Sequence, residues 1–349
     1  MTTETAGAQR NPPVVAALGR LARAREASIL AVLLVVFAVT SIYNHAFANT
    51  SSIEQLLAGA SIYALLAVGE TLVVITRNVD LSVGSVLGIS AYLVGDVFLH
   101  NPRFPVPLAF LLAIGVGLVC GLLNGLIVAV VRVPSLVVTL GTLYAIRGLD
   151  AVIVGGLQVN SYNLPNSFIN VGSGAVPGIP WLPWLFVIAA AAVLVVGFVM
   201  RTFRPSRDLY AIGSNPDAAA LAGVPIRRRV FAAFVVSGAL AGLAGALWLG
   251  EIGSVGATAG SGYELIVIAG VVVGGVAIFG GSGTVLGAGL GVLLLNTINQ
   301  ALVAARIAAF WNQAIAGALL LAAIAFDRAV LVRRERALRI RRAEHAALV

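Results

Sequence analysis

The residues able to do chemistry are sparse and scattered. His45, His100 and His345 lie far apart, and the one cysteine, Cys120, sits in an apolar run that excludes an intramolecular disulfide. No grouping of His, Cys and acidic residues has the spacing of a metal site or a catalytic dyad, so no metal and no catalytic residue are expected. All 22 basic residues are arginines. The phosphate-cradling loop that ends in lysine is therefore absent, and with it a standard nucleotide-hydrolysing site. What remains is a handful of ionisable groups in apolar stretches, which are costly there and hence functional candidates. Glu70 and Arg77 have the spacing of one helical face, with Arg77 at the edge of its span. Arg147 and Asp150 are spaced to pair with each other. Asp80 precedes "LSVGS", where it is placed to cap a helix.

A second set is polar but uncharged: Asn124, Thr139, Thr142, Asn296, Asn299, Trp311, Asn312 and Gln313. Amides and hydroxyls suit a sugar, which carries many hydroxyls and no charge, and Trp311 can stack on a sugar ring. Each alone is first a helix-to-helix hydrogen-bond former, with substrate contact as its second role. The chemistry on offer is binding and passage.

The elements that must position these groups are membrane helices. Hydrophobic residues make up 60% of the 349 positions and charged residues 10%, outside the range of soluble domains. A helix crossing ~30 Å of hydrocarbon needs ~20 mostly apolar residues. Ten stretches qualify, at 28–48, 54–76, 80–99, 106–130, 134–155, 184–201, 229–250, 264–280, 284–303 and 309–327. The expected fold is an all-α integral membrane protein. A basic segment (1–27) precedes the polytopic transmembrane body (28–327), and a basic tail (328–349) follows it. With both termini in the cytoplasm, Arg10, Arg20, Arg23, Arg25, the block Arg201–Arg229 and the tail lie inside, as the positive-inside rule requires. The pI near 10.5 then reports orientation and anionic lipid contact rather than nucleic acid. Ala46-Phe47-Ala48 resembles a signal-peptidase site, yet the stretch before the apolar core is longer than a leader's basic region, so a retained first span is expected.

Many glycines recur at four-residue spacing: Gly117, Gly121 and Gly125; Gly84 and Gly88; Gly238 and Gly242; Gly270 and Gly274. Such stripes let helix backbones approach closely in lipid. "LLN" at Leu122–Asn124 recurs at Leu294–Asn296, a hint of two five-helix halves in inverted orientation.

Between spans six and seven runs the loop 202–229, with "GSNPDAAALAG" at Gly213, Ser214, Asn215, Pro216, Asp217, Ala218, Ala219, Ala220, Leu221, Ala222 and Gly223. Asn215 is an N-cap, Pro216 fits the first helical position, and Asp217 sits at the positive end of the helix dipole. The alanines and Leu221 propagate the helix until Gly223 stops it. So short a helix is marginal alone, so packing on its own membrane domain or docking on a partner must hold it.

The segment "RDLYAIGSNPDAAALAGVPIRRR" resembles the cytoplasmic loop of ATP-binding-cassette importer permeases of the ribose, rhamnose and autoinducer-2 class, in the branched-chain amino acid/monosaccharide permease superfamily. "NVDLSVGSVLGISAYLVG" from Asn78, "GLLNGLIVAVVRVPSLVVTLGTLYAIRGL" from Gly121, "GYELIVIAGVVVGGVAIFGGSGTVLGAGLG" from Gly262 and "FWNQAIAGALLLAAIAFD" from Phe310 are similar to family segments in the same order. The family often has an acidic residue after "YEL", where this chain has Ile266. The resemblance implies a multi-pass protein of the bacterial plasma membrane that binds no cofactor itself. Its short helix would be a coupling helix docked on a cytoplasmic ATPase subunit, which holds ATP and Mg. It also implies a periplasmic or lipid-anchored extracellular solute-binding protein, and a second permease that is either a copy or a paralogue. The uncharged stretch Gly155–Leu185, with Trp181 and Trp184, would join Gly253–Glu264 as the surface for the binding protein. The rival readings are an ion-coupled carrier, for which few buried carboxylates are present, and a branched-chain amino acid permease, whose zwitterionic substrate would need a charge such as Arg147 or Glu264.

Overall fold

The computed structural model describes the backbone of residues 13–307 and individual helical positions between Trp311 and Ala325, with side chains from Glu26 onward. The chain begins with α1 (Pro13–Tyr43), α2 (Thr50–Ile75), α3 (Val83–His100), α4 (Val106–Gly125) and α5 (Ser135–Val154). α4 continues into a wider π-helical segment, Leu126–Val131. A short helix α6 (Asn166–Ser173) and a two-stranded antiparallel hairpin, β1 (Ala175–Val176) and β2 (Ile179–Pro183), lead to α7 (Trp184–Thr202). Then come α8 (Arg204–Ser214), α9 (Pro216–Leu221), α10 (Ile226–Ile252), α11 (Tyr263–Val273) and α12 (Val285–Ala304).

Among the described residues, eight helices are long and apolar enough to cross a membrane: α1, α2, α3, α4 with its π-helical extension, α5, α7, α10 and α12. The eighth expected span, 264–280, is overturned as a continuous helix. α11 has 11 residues, about 16 Å at 1.5 Å per residue, or half a bilayer core. Beyond it the chain turns through glycines in left-handed backbone, among them Gly280 (φ 78°) and Gly281 (φ 77°). The tenth expected span and the tail 328–349 lie mostly or wholly outside the described residues, as does the segment before Pro13.

Two helices organise the interior. α10 packs against α2, α3 and α4, while α2 packs against α7, α10, α11 and α12; α1 lies on α12. The glycine stripes mark these crossings as expected. A Cβ on Gly117 would strike the backbone of Gly238 and Gly242, one on Gly242 would strike that of Ala113, and one on Gly291 would strike that of Gly270 and Gly274. Backbone-on-backbone packing replaces the hydrophobic drive that lipid cannot supply. The two asparagines of the "LLN" match both lie in long helices and have different partners: Asn124 Nδ2 donates to Ser82 Oγ, and Asn296 Nδ2 to the Leu56 carbonyl.

The bundle has two distinct ends. At one, Arg77, α8, α9 and the 274–284 turn meet: Gly281 N donates to the Ile75 carbonyl and Tyr210 OH to the Gly283 carbonyl. At the other, Val159 and Val255 form an antiparallel bridge, and Gly250 packs on α6 at Gly172.

Candidate functional site

Three groupings follow from where the fold places the candidate residues. The first is the short helix at the arginine-rich end. Asn215 caps it as expected, its side chain accepting from Ala218 N at 3.1 Å, with Pro216 in the first turn and Gly223 at φ 78° after the stop. Two features differ from expectation. The loop holds two helices, because Arg204–Ser214 forms α8, an amphipathic segment that buries Leu209 and Ile212. Gly213 and Ser214 therefore belong to α8. Gly213 is there for close approach, since a Cβ would strike the Ile75 carbonyl and Gly281. The six residues of α9 project from this base. Ala219 is 4% exposed and anchors the helix, while Leu221 is 91% exposed, with Asp217, Ala218, Ala220 and Ala222 also facing out.

The second grouping is a buried polar cluster between α2, α3, α4, α5 and α10. Sequence spacing put Glu70 and Arg77 on one helical face; the structure separates them. α2 ends at Ile75, and Arg77 is in left-handed backbone (φ 65°) and reaches away to Gly213 and Ser214. The chain then turns back along α2 in extended form, so that Asp80 N donates to Glu70 Oε1 at 3.0 Å. Asp80 Oδ1 accepts from the Ser82 hydroxyl at 2.6 Å and from Ser82 N at 3.0 Å, closing the turn before α3 rather than capping the helix itself. Asn124 Nδ2 reaches Ser82 Oγ at 2.8 Å, and Ser237 Oγ donates to Asp80 Oδ2 at 3.4 Å. Thr139 Oγ1 donates to the Ser135 and Val79 carbonyls, fastening α5 to the same segment. Glu70 is 0% and Asp80 2% exposed, and Glu70 Oε2 and Asn124 Oδ1 have no hydrogen-bond partner among the described residues. Glu70, Ser82 and Ser237 were not assembled by sequence reasoning; their only signal was polarity inside apolar spans.

The third grouping lies toward the opposite end. Arg147 Nη1 and Nη2 donate to the Ala259 and Gly260 carbonyls at 2.8 and 3.4 Å, so the expected bridge to Asp150 is replaced by bonds to backbone, and Asp150 Oδ1 is buried without a hydrogen-bond partner among the described residues. The segment thus held reaches α3: Gly84 and Gly88 pack directly on Gly260 and Ala259, and Glu264 abuts Gly84. Thr142 donates to the Thr139 carbonyl at 3.3 Å, within its own helix. Asn296 and Asn299 line a small cavity with Tyr63, whose ring stacks on Tyr263 at 4.7 Å between centroids. Trp311 is exposed, and Asn312 and Gln313 lie outside the described residues. Among the described residues no group of three or more His, Cys, Asp or Glu side chains is placed to hold a metal ion.

These features are those of a transport helix bundle, and comparison with known proteins agrees. Residues 52–324 match the family described as branched-chain amino acid transport system / permease component. The autoinducer 2 import system permease protein LsrC of Enterobacter sp. (strain 638) is 37% identical over 325 residues, 92% of this chain and 93% of that protein. The protein of the same name from Klebsiella pneumoniae is 38% identical over 325 residues, 92% of each chain, and that from Photorhabdus luminescens 35% over 303 residues, 87% of this chain and 89% of that one. No solved structure matches the chain. With eight long apolar helices among the described residues and a family match spanning most of its length, the chain is a multi-pass membrane protein that belongs to the permease-component family of the branched-chain amino acid transport system type.

Proposed function

We propose that this chain is the membrane-spanning subunit of an ATP-driven importer for a sugar-like solute, with hydrolysis on a separate subunit that binds ATP and Mg. The observation that carries the reading is α9: a capped two-turn projection, anchored by one buried alanine and presenting an exposed leucine. An exposed Leu221 beside small residues is suited to a groove on a partner, and α8 beneath it is fixed to α2 by Arg77. The bundle end carrying α8, α9 and the arginines faces the cytoplasm in this reading, in keeping with the positive-inside rule. A solute-binding protein then delivers to the opposite end, and the protein resides in the plasma membrane. A second permease, copy or paralogue, has the outward face of α5 available, where Val137, Tyr144 and Val152 are exposed and Gly141 and Gly148 face open space; elsewhere such a surface meets lipid.

The relatives' printed name, autoinducer 2 import, favours a small hydroxylated solute; the family description points also to branched-chain amino acids. A zwitterion needs opposite charges at its site. Arg147 is spent on backbone carbonyls, and Glu264 packs against Gly84 and accepts from Gly262 N. An ion-coupled carrier is tested directly by vesicles holding the permease with its ATPase and binding protein. Uptake that requires ATP and the ATPase supports the importer; uptake that persists without either overturns it.

A further inference from the structure

At the end of the bundle away from α9, a cavity of about 440 Å³ opens between the turn after α5 and the segment after α10. Its size falls within the ~300–1,000 Å³ of small-molecule sites. The two walls are joined by the Val159–Val255 bridge, with N–H···O distances of 3.1 and 3.0 Å, so the cavity has fixed sides. None of its 12 lining residues is charged. Arg147, Glu251 and Glu264 are all absent from the lining. Gln158, Ser254 and Thr258 line it, and their side chains make no hydrogen bond among the described residues, which leaves an amide and two hydroxyls available. Trp248 completes it. Its indole Nε1 donates to Tyr263 OH at 2.9 Å, so the ring is held in place and offers its apolar surface rather than its N–H.

A fixed aromatic ring, a rim of uncharged donors and acceptors, and no charged residue in the lining define a chemical preference. A monosaccharide presents apolar C–H faces and a periphery of hydroxyls, matching ring and rim together. An amino acid would have to shed the hydration of both its charges with nothing to replace it. We propose that this cavity is the receiving subsite for a neutral polyhydroxylated solute and that it discriminates against zwitterions. The proposal rests on the importer reading above and names the residues that accept the cargo: Gln158, Trp248, Ser254 and Thr258. Ala259 in the lining and the adjacent Gly260 are the stretch pinned by Arg147 and packed on α3, so the cavity borders the contact between α3 and the segment leading into α11.

The test uses the full chain in lipid nanodiscs with Trp181, Trp184 and Trp311 replaced by Phe, which leaves Trp248 as the lone indole reporter. D-ribose should change Trp248 fluorescence saturably in the millimolar range, L-leucine should not, and Gln158→Ala/Ser254→Ala/Thr258→Val should weaken the response about tenfold. No saturable ribose response, an equal leucine response, or an unchanged triple variant overturns the subsite. In vesicles with the ATPase and binding protein, the triple variant should raise the solute concentration needed for half-maximal uptake while hydrolysis stimulated by loaded binding protein persists. Loss of that stimulation instead marks the cavity as a protein-docking face and also overturns the proposal. Native vesicles that bind ribose yet move no sugar with ATP would sink the importer reading and leave the subsite standing.

Discussion

Arg77 donates from Nε to the Gly213 carbonyl and from Nη2 to the Ser214 carbonyl, tying the end of α2 to the residues immediately before α9. α2 also carries Glu70, about 7.5 Å further along the axis from Ile75, with the Asp80 segment hydrogen-bonded to it. In the proposed importer, a push on α9 would reach the helix that holds the buried polar cluster through these two bonds and through the close packing of Gly213 on the Ile75 carbonyl.

Replacing Arg77 with alanine should remove both bonds and about 1–2 kcal/mol of stability, read as a fall in the thermal unfolding midpoint. The sharper effect is on coupling: solute moved per ATP hydrolysed should drop several-fold while hydrolysis continues. Arg77→Lys should restore only part, because an ammonium on a flexible stem does not reproduce the guanidinium's rigid fork across two carbonyls. Equal loss of hydrolysis and transport in Arg77→Ala would place the residue in fold maintenance alone.

On α9, Leu221→Asp and Ala219→Arg should behave differently although they lie two positions apart. Leu221 touches solvent, so Leu221→Asp should leave stability within ~0.5 kcal/mol and abolish capture of the ATPase in a pull-down from detergent. Ala219 is the buried anchor, and an arginine there has no room, so the helix itself should detach and the unfolding midpoint fall. A Leu221→Asp protein that still captures the ATPase would remove α9 as the docking element.

Glu70 supplies an acceptor for the Asp80 N–H, and this predicts that shape and polarity matter more than charge at that position. Glu70→Gln keeps an oxygen for the N–H and should cost little. Glu70→Leu strands a buried N–H, and Asp80→Ala strands the Ser82 N–H and hydroxyl, each costing about 1–3 kcal/mol. Because the two acids share one network, the double variant should lose less than the two single losses added. Additive losses in thermal unfolding would show that the two act separately.

The apolar spans, the cap at Asn215 and the glycine stripes were legible in the sequence because each rests on local pattern: run length, a side chain two or three residues from its partner, or a four-residue period. The polar cluster was legible only as scattered members. Asp80, Asn124 and Thr139 stood out as polar residues in apolar surroundings, but Glu70 meets Asp80 only because the chain doubles back after Arg77, and no periodicity encodes that return. The same reason hid the true partner of Arg147. Spacing along a helix pointed to Asp150, whereas Ala259 and Gly260 arrive from more than a hundred residues away and bond through carbonyls, which every residue type possesses. The break after α11 was masked by composition, since "GVVVGGVAIFGG" is apolar enough to read as helix while its glycines permit the left-handed turns at Gly280 and Gly281.

Two glycines of α4 should respond to alanine with opposite sign. Alanine exceeds glycine in helix propensity by about 1 kcal/mol, a gain open to any helical glycine with space around it. Gly115 has nothing within 4 Å of a Cβ, so Gly115→Ala should raise the unfolding midpoint or leave it unchanged. Gly117 faces α10, where a Cβ would meet the Gly238 carbonyl and come within 2.8 Å of Gly242 N, both backbone atoms that no rotamer change can move. The helices must then separate along the most extensive crossing in the bundle, at a cost of about 1–3 kcal/mol that outweighs the propensity gain. Gly117→Ala should therefore unfold at lower temperature and yield less monodisperse protein in detergent, with Gly115→Ala as the matched control. If both variants gain stability, the α4–α10 contact has slack to absorb a methyl group, and close backbone approach is not what holds the two helices together.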